Sequence, residues 1–291
     1  MEPTHKGDLP YQIVTDRICA LLEAGTAPWH QPWQADVGMP RNLVSKKAYR
    51  GINVFILGSQ HYDSPWWLSF KQVQEKGGRI RKGERMTYVV FWKLLERTHT
   101  AEDGSSERDT LPILRYYTVV NARQCEGLTL PPLEVIEREH TPLEACEALV
   151  AGIPTPPAIQ HGDAQAYYRP ATDSVHMPDP ERFETAERYY ATLFHELTHA
   201  TGHPSRLNRP TLKDAQRFGD TSYAKEELVA EMGAAFLCGA TGIVNDTIDQ
   251  SAAYLQGWLK ALRNDPRLLV LAAAQAQKAA DLLRNLSHEE Q

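Results

Sequence analysis

The chain has 291 residues, 42% of them hydrophobic and 23% charged, with a formal net charge of −6. That length buries one large core or two ordinary ones, and the ordinary composition excludes wholesale disorder and fibrous architectures. Spread evenly, a mildly acidic total would also disfavour nucleic acid, but the charge is not spread evenly.

Met1 to Pro10 is polar and has no apolar signal-peptide core, so an exported protein is not expected. Tyr11, Val14, Ile18, Leu21 and Leu22 recur at helical spacing, with Gly25 as the stop. Further short helices are expected at Ile52 to Tyr62 and at Ser69 to Glu75, the latter before Gly77-Gly78. Met86 to Leu95 and Arg115 to Val120 carry the β-branched and aromatic residues of strands. The polar run Thr98 to Asp109 between them reads as a mobile hairpin loop. Leu128 to Leu133, with Pro131-Pro132, reads as a linker. Beyond it, Glu144–Ala151, Thr185–Thr201, Tyr223–Ala240, Ile248–Arg263 and Pro266 to about Leu286 have helical periodicity. Tyr167–Arg169 and Ser174–Met177 read as a β-hairpin.

This places a mixed α/β domain at 1–128, a linker at 129–143 and a mostly helical domain with a small β-sheet at 144–291, an α+β chain. Up to Leu128 there are 17 Lys+Arg and 14 Asp+Glu, net +3, which leaves −9 for the remainder. The longest apolar run, Leu268 to Ala274, is too short to span a bilayer, so no membrane role is expected. Cys19, Cys125, Cys146 and Cys238 form no C-x-x-C pair and read as reduced thiols of a cytoplasmic protein.

The most specific signal is His195-Glu196-Leu197-Thr198-His199, an H-E-x-x-H motif. Residues four apart share a helix face, so His195 and His199 can offer two imidazole nitrogens to one metal. Zinc lowers the pKa of a bound water to about 7, and Glu196 is placed to accept its proton as the catalytic base. A third ligand is needed. Ser205, six residues after His199, cannot serve, and His203 lies past a helix-ending glycine. The run Glu227-Leu228-Val229-Ala230-Glu231 resembles the E-x-x-A-D of glutamate-type zincins, with Glu for Asp. It offers Glu227 as ligand and Glu231 as support for a ligand histidine. Exchanged roles, or use of Glu226, fit the same spacing. Tyr223 and His203 are candidates to stabilise an oxyanion, and the hairpin edge a candidate to hold an extended peptide.

Between Arg41 and Lys93 there are 11 cations against 3 acids, net +8. Arg41, Lys46, Lys47, Arg50, Lys71, Arg79, Arg81, Lys82 and Arg85 are the candidate phosphate contacts, with Trp29, Trp33 and Trp67 as candidate stacking rings. Cations interleaved with aromatic faces suit single-stranded nucleic acid.

Both halves together resemble the ArdC-type antirestriction proteins of conjugative plasmids. The first half carries Ala27-Pro28-Trp29, Pro32-Trp33, Tyr49-Arg50-Gly51-Ile52-Asn53, Trp67-Leu68-Ser69-Phe70-Lys71-Gln72 and Arg81-Lys82-Gly83-Glu84. In these it is similar to the family's single-stranded-DNA-binding domain, which also occurs in TraC-type plasmid primases. Tyr190 to His203, Arg206-Leu207 and Glu226 to Glu231 are similar to the accompanying zincin-like metallopeptidase domain. The resemblance implies binding of single-stranded DNA, a zinc (or other divalent, such as Mn2+) site, an unidentified protein or peptide substrate, and protection of incoming DNA from restriction during conjugation. A non-proteolytic DNA-coating protein with a structural or vestigial metal site is the alternative.

Overall fold

The computed structural model describes residues 9–29, 38–100, 106–131, 141–214, 221–245 and 252–286. For 95–100, 106–111, 213–214, 221–222 and 252–254 it describes the backbone alone. The architecture is α+β.

Helix α1 (Leu9–Glu23) stops just before Gly25, whose φ of 78° suits a residue without a Cβ. Strand β1 (Arg41–Asn42) leads to α2 (Ile52–Gly58), shorter than the periodicity suggests. Strand β2 (Trp66–Ser69) runs directly into α3 (Phe70–Glu75), where Ser69 and Gln72 form a reciprocal capping box. A two-residue strand, β3 (Arg79–Ile80), precedes the long hairpin of β4 (Thr87–Thr100) and β5 (Ser106–Asn121). Strand β6 (Cys125–Glu126) returns to pair with β3.

The hairpin differs from the sequence expectation. The antiparallel register continues to Thr100 opposite Ser106, through residues read as a loop. Ladder pairing is a backbone property, and polar side chains do not interrupt it where neither strand turns. The main sheet has the order β1-β2-β5-β4. β2 ends opposite Val119, so Pro112 of β5 has only β4 as a neighbour and its missing N–H costs no ladder bond. On the β4 edge, the Asn53 side chain from α2 closes a two-way bond with Val90, accepting from its N–H at 2.8 Å and donating to its carbonyl at 2.7 Å.

The second half starts with α4 (Pro142–Ala151), capped by Thr141 and Glu144. A three-stranded sheet of order β7-β9-β8 follows, from β7 (Ala158–His161), β8 (Tyr167–Arg169) and β9 (Ser174–Met177). β7 escapes a reading by pattern because Ile159 is its sole large apolar residue. Then come α5 (Ala186–Ala200), capped by Thr185, the short α6 (Pro210–Asp214), α7 (Thr221–Thr241), α8 (Ala252–Asn264) and α9 (Leu268–Leu283). Among the described residues no helix is long and apolar enough to cross a membrane. Cys19, Cys125, Cys146 and Cys238 are all free thiols.

The linker read at 129–143 lies largely outside the described residues. The segments on its two sides share one hydrophobic core. Phe55 of α2 stacks on Phe236 of α7 with centroids 4.9 Å apart, and Trp29 meets Trp258 of α8 edge-on at 5.3 Å. Polar contacts follow the same seam: Asn245 Nδ2 donates to the Trp29 carbonyl at 3.0 Å, Thr15 Oγ1 to the Pro266 carbonyl at 2.8 Å, and Arg50 pairs with Asp281 of α9. The opposite charges of the two sequence halves therefore sit on a single packed body.

Candidate metal centre

α5 carries His195, Glu196 and His199, and α7 carries Glu226, Glu227 and Glu231. The two helices approach closely because α7 has Gly233 against Thr198. A Cβ there would lie 2.4 Å from Thr198 Cγ2. This contact sets the ligand-bearing faces against each other.

Both imidazoles aim Nε2 at one point, 3.1 Å apart. Glu227 closes the group: Oε2 lies 3.5 Å from His195 Nε2 and Oε1 lies 3.5 Å from His199 Nε2. Tetrahedral coordination with bonds of about 2.0–2.1 Å separates neighbouring donors by roughly 3.3–3.4 Å, so this donor set fits a divalent transition-metal ion. Among the described residues, His195, His199 and Glu227 are the group able to hold one.

Behind each imidazole stands a carboxylate, as metal-ligating histidines require. Glu231 Oε1 is 3.4 Å from His195 Nδ1. Glu231 is wholly buried, and neither its oxygens nor His195 Nδ1 has an aligned hydrogen-bond partner. Glu226 Oε1 is 3.5 Å from His199 Nδ1. Sequence spacing left the roles of these acids open; the geometry gives Glu227 the central position and places Glu231 and Glu226 behind one histidine each.

Glu226 is in turn held by Arg209, a residue no motif singles out. The buried Arg209 guanidinium grips both Glu226 oxygens and donates to Thr201 Oγ1. It also donates to the carbonyls of Thr198 at 2.8 Å and His199 at 3.3 Å. It thereby satisfies last-turn carbonyls of α5 and places a cation at the helix C-terminus. Gly202 leaves room for it, since a Cβ there would meet the guanidinium at 3.0 Å.

The electrostatics follow. Burial opposes charge on Glu226, but His199 and Arg209 outweigh it and bring its pKa down to about 2. Burial likewise opposes charge on Glu227, which the two histidines hold at about 2. Burial disfavours a charged His195, yet the Glu227 and Glu231 carboxylates raise its pKa well above the usual value. Glu196 behaves differently: burial pushes its carboxyl up, only partly offset by His195 and His199. A carboxylate shifted upward is a better proton acceptor near neutral pH. The backbone of Tyr168 on β8 also hydrogen-bonds Glu196, so the sheet edge borders the motif. His203 Nδ1 is bonded to Ser205 at 2.7 Å and lies near Asp173. Tyr223 hydrogen-bonds Glu227.

The candidate nucleic-acid residues differ in burial and pairing. Trp29 and Trp67 are fully packed in the core, so neither ring face is open to a base. Trp33 lies outside the described residues. Four of the cations are committed to acids: Arg50 to Asp281, Lys71 to Glu75, Arg79 to Glu126 and Arg81 to Glu84. Arg41, Lys46, Lys47, Lys82 and Arg85 are exposed and make no ion pair among the described residues, with Lys46 lying over the Trp66 ring at 4.4 Å.

Comparison with known proteins matches this layout. Residues 9–120 match the family model for the N-terminal domain of anti-restriction factor ArdC, and residues 144–275 match that for a zincin-like metallopeptidase. The solved structure of the antirestriction ArdC protein from plasmid R388 in its Mn(II)-bound form is 42% identical, with a TM-score of 0.74, covering 97% of this chain and 99% of that one. Its metal-free form gives a TM-score of 0.75 at 41% identity, covering 96% and 99%. The uncharacterized protein y4eC of Sinorhizobium fredii is 38% identical over 93% of this chain and 90% of its own length. DNA primase TraC of Escherichia coli is 40% identical over 94% of this chain, which spans only 27% of that primase. The chain belongs to the ArdC-type antirestriction family, with an ArdC N-terminal domain joined to a zincin-like metallopeptidase domain.

Proposed function

We propose that the chain protects incoming plasmid DNA from host restriction during conjugation, binding single-stranded DNA through its N-terminal part and cleaving a protein through a zinc-dependent, glutamate-type peptidase site in the recipient cytoplasm. The observation that carries the peptidase reading is the convergence of His195, His199 and Glu227 beside a buried Glu196 on the same helix. A zinc or manganese ion held by those three residues would supply Lewis acidity to a water molecule and to a peptide carbonyl. Glu196 takes up the water's proton on its carboxylate and returns it to the departing amine. Glu231 and Glu226 keep the two imidazoles turned so that Nε2 faces inward. β8 is an edge strand and offers its outer side to an extended peptide.

One observation favours the non-proteolytic alternative. His195, Glu196, His199 and Glu227 are all buried, which narrows the approach for a polypeptide. Glu196→Gln separates the two readings, because it keeps the metal ligands and removes the base. If proteolysis is needed, plasmid transfer into a restricting recipient falls to the level without the protein, and a substrate cleaved by wild type is spared. If the chain only coats DNA, transfer is unchanged.

A further inference from the structure

With Trp29 and Trp67 inside the core, a single-stranded-DNA surface among the described residues needs another set of rings. The β4–β5 hairpin does. On one face of the sheet, Val89 and Val119 are fully buried. One step further out, Phe91 and Tyr117 emerge with 42% and 40% of their surface exposed. Their ring centroids are 5.5 Å apart at 64°. Arg115 is registered directly opposite Phe91, and Lys93 is two residues further along the same face. Both cations are exposed and make no ion pair among the described residues. No Asp or Glu occurs from Thr87 to Leu94 or from Pro112 to Asn121.

Single exposed apolar side chains need no explanation, but adjoining rings with two unpaired cations beside them do. A second copy of the chain is a poor occupant: a self-paired face would press Lys93 and Arg115 against their own duplicates with no acid to separate them. Duplex DNA offers phosphates but no free base faces. Single-stranded DNA offers both, since its unstacked bases pack on rings while its phosphates meet cations. Resting on the single-stranded-DNA reading above, we infer that the Phe91–Tyr117 face, with Arg115 and Lys93 beside it, is the ledge on which bases of the bound strand stack. The ledge is chemically indifferent to base identity, because every base has a π face, so binding is sequence-tolerant.

The test uses a fluorescent 20-mer of dT with the full chain, followed by anisotropy. Replacing both Phe91 and Tyr117 by Ala weakens binding about 5- to 100-fold, the range of one base–ring stack or more. Replacing Arg115 and Lys93 by Gln flattens the slope of log K against log salt by about 1.4, two phosphates' worth on a single strand. Tyr88→Ser, on the opposite face of the same strand, leaves affinity unchanged. Thermal melting confirms that each variant folds, and photocrosslinking of a bromo-dU 20-mer to Tyr117 or Phe91 provides a readout independent of affinity. Wild-type affinity in the double-alanine variant, while the wild type binds the 20-mer, overturns the ledge and leaves the single-stranded-DNA reading standing. No binding by the wild type overturns both. A wild-type dimer that the double-alanine change converts to monomer makes this face a self-contact and also overturns the ledge.

Discussion

Arg209→Met probes the least visible part of the metal centre. Arg209 is 2% exposed and joins Glu226, Thr201 Oγ1 and two carbonyls at the end of α5. Methionine keeps much of the volume and removes the charge. Glu226, itself 2% exposed, then keeps only the His199 Nδ1 and the Thr211 hydroxyl beside it. Breaking a buried pair from one side costs about 3–5 kcal/mol, because the other charge stays buried. At about 2 °C per kcal/mol for a chain of this size, Tm falls by roughly 6–10 °C. The measurement is thermal unfolding of chelator-treated protein at pH 7. Zinc affinity, read by competition with a chromophoric chelator, falls about 10- to 100-fold as Glu226 loses the guanidinium that holds it behind His199. The double variant Arg209→Met/Glu226→Leu removes both charges and recovers at least half of the lost Tm, since apolar replacement of a buried pair is often near neutral. A single variant melting within about 2 °C of wild type would refute the claim that Arg209 anchors the site.

Other consequences concern the same two helices. Gly233→Ala drives a methyl group into Thr198, which separates α5 from α7; overpacking costs about 1–3 kcal/mol, and zinc affinity should drop although no ligand has changed. Isothermal titration checks this, and unchanged affinity with unchanged Tm would contradict the close-contact argument. In the metal-free protein, pH sets stability from both sides. Glu226, lowered from 4.5 to about 2, contributes stability that is complete above about pH 4.5 and lost as pH falls toward 2. His195, raised above 6.5, contributes stability that is complete below about 6.5 and lost as pH rises through its elevated value. Melting of chelated protein should therefore peak between these limits, and a Tm that climbs steadily from pH 6.5 to 9 would show the His195 argument to be wrong.

The spacing of His195, Glu196 and His199 was readable because a helix converts a four-residue interval into a shared face. Glu227 and Glu231 were readable as one face of a second helix for the same reason. Glu226 was readable only as an alternative to its neighbours, and Arg209 not at all, since it lies in a loop and its partner is 17 residues away on a different helix. The first-half charge count was a local sum, and it could not see that Arg50 is answered by Asp281 or Arg79 by Glu126. Tryptophan content likewise marked a region but not a role: Trp29 proved to be core, packed against Trp258 from the far end of the chain. The strand alternation of Val89, Phe91 and Lys93 was present in the sequence. What it could not show is where the flanking helices stop covering the sheet.

Everything proposed for this site requires a metal held by His195, His199 and Glu227. Metal content of purified protein, by elemental analysis after zinc loading and desalting, tests this directly. Wild type and Glu196→Gln should each retain about one equivalent per chain, while His199→Ala and Glu227→Ala, checked for folding by circular dichroism, retain little. A folded Glu227→Ala variant that keeps a full equivalent at wild-type affinity would contradict the assigned ligand set and the peptidase reading built on it.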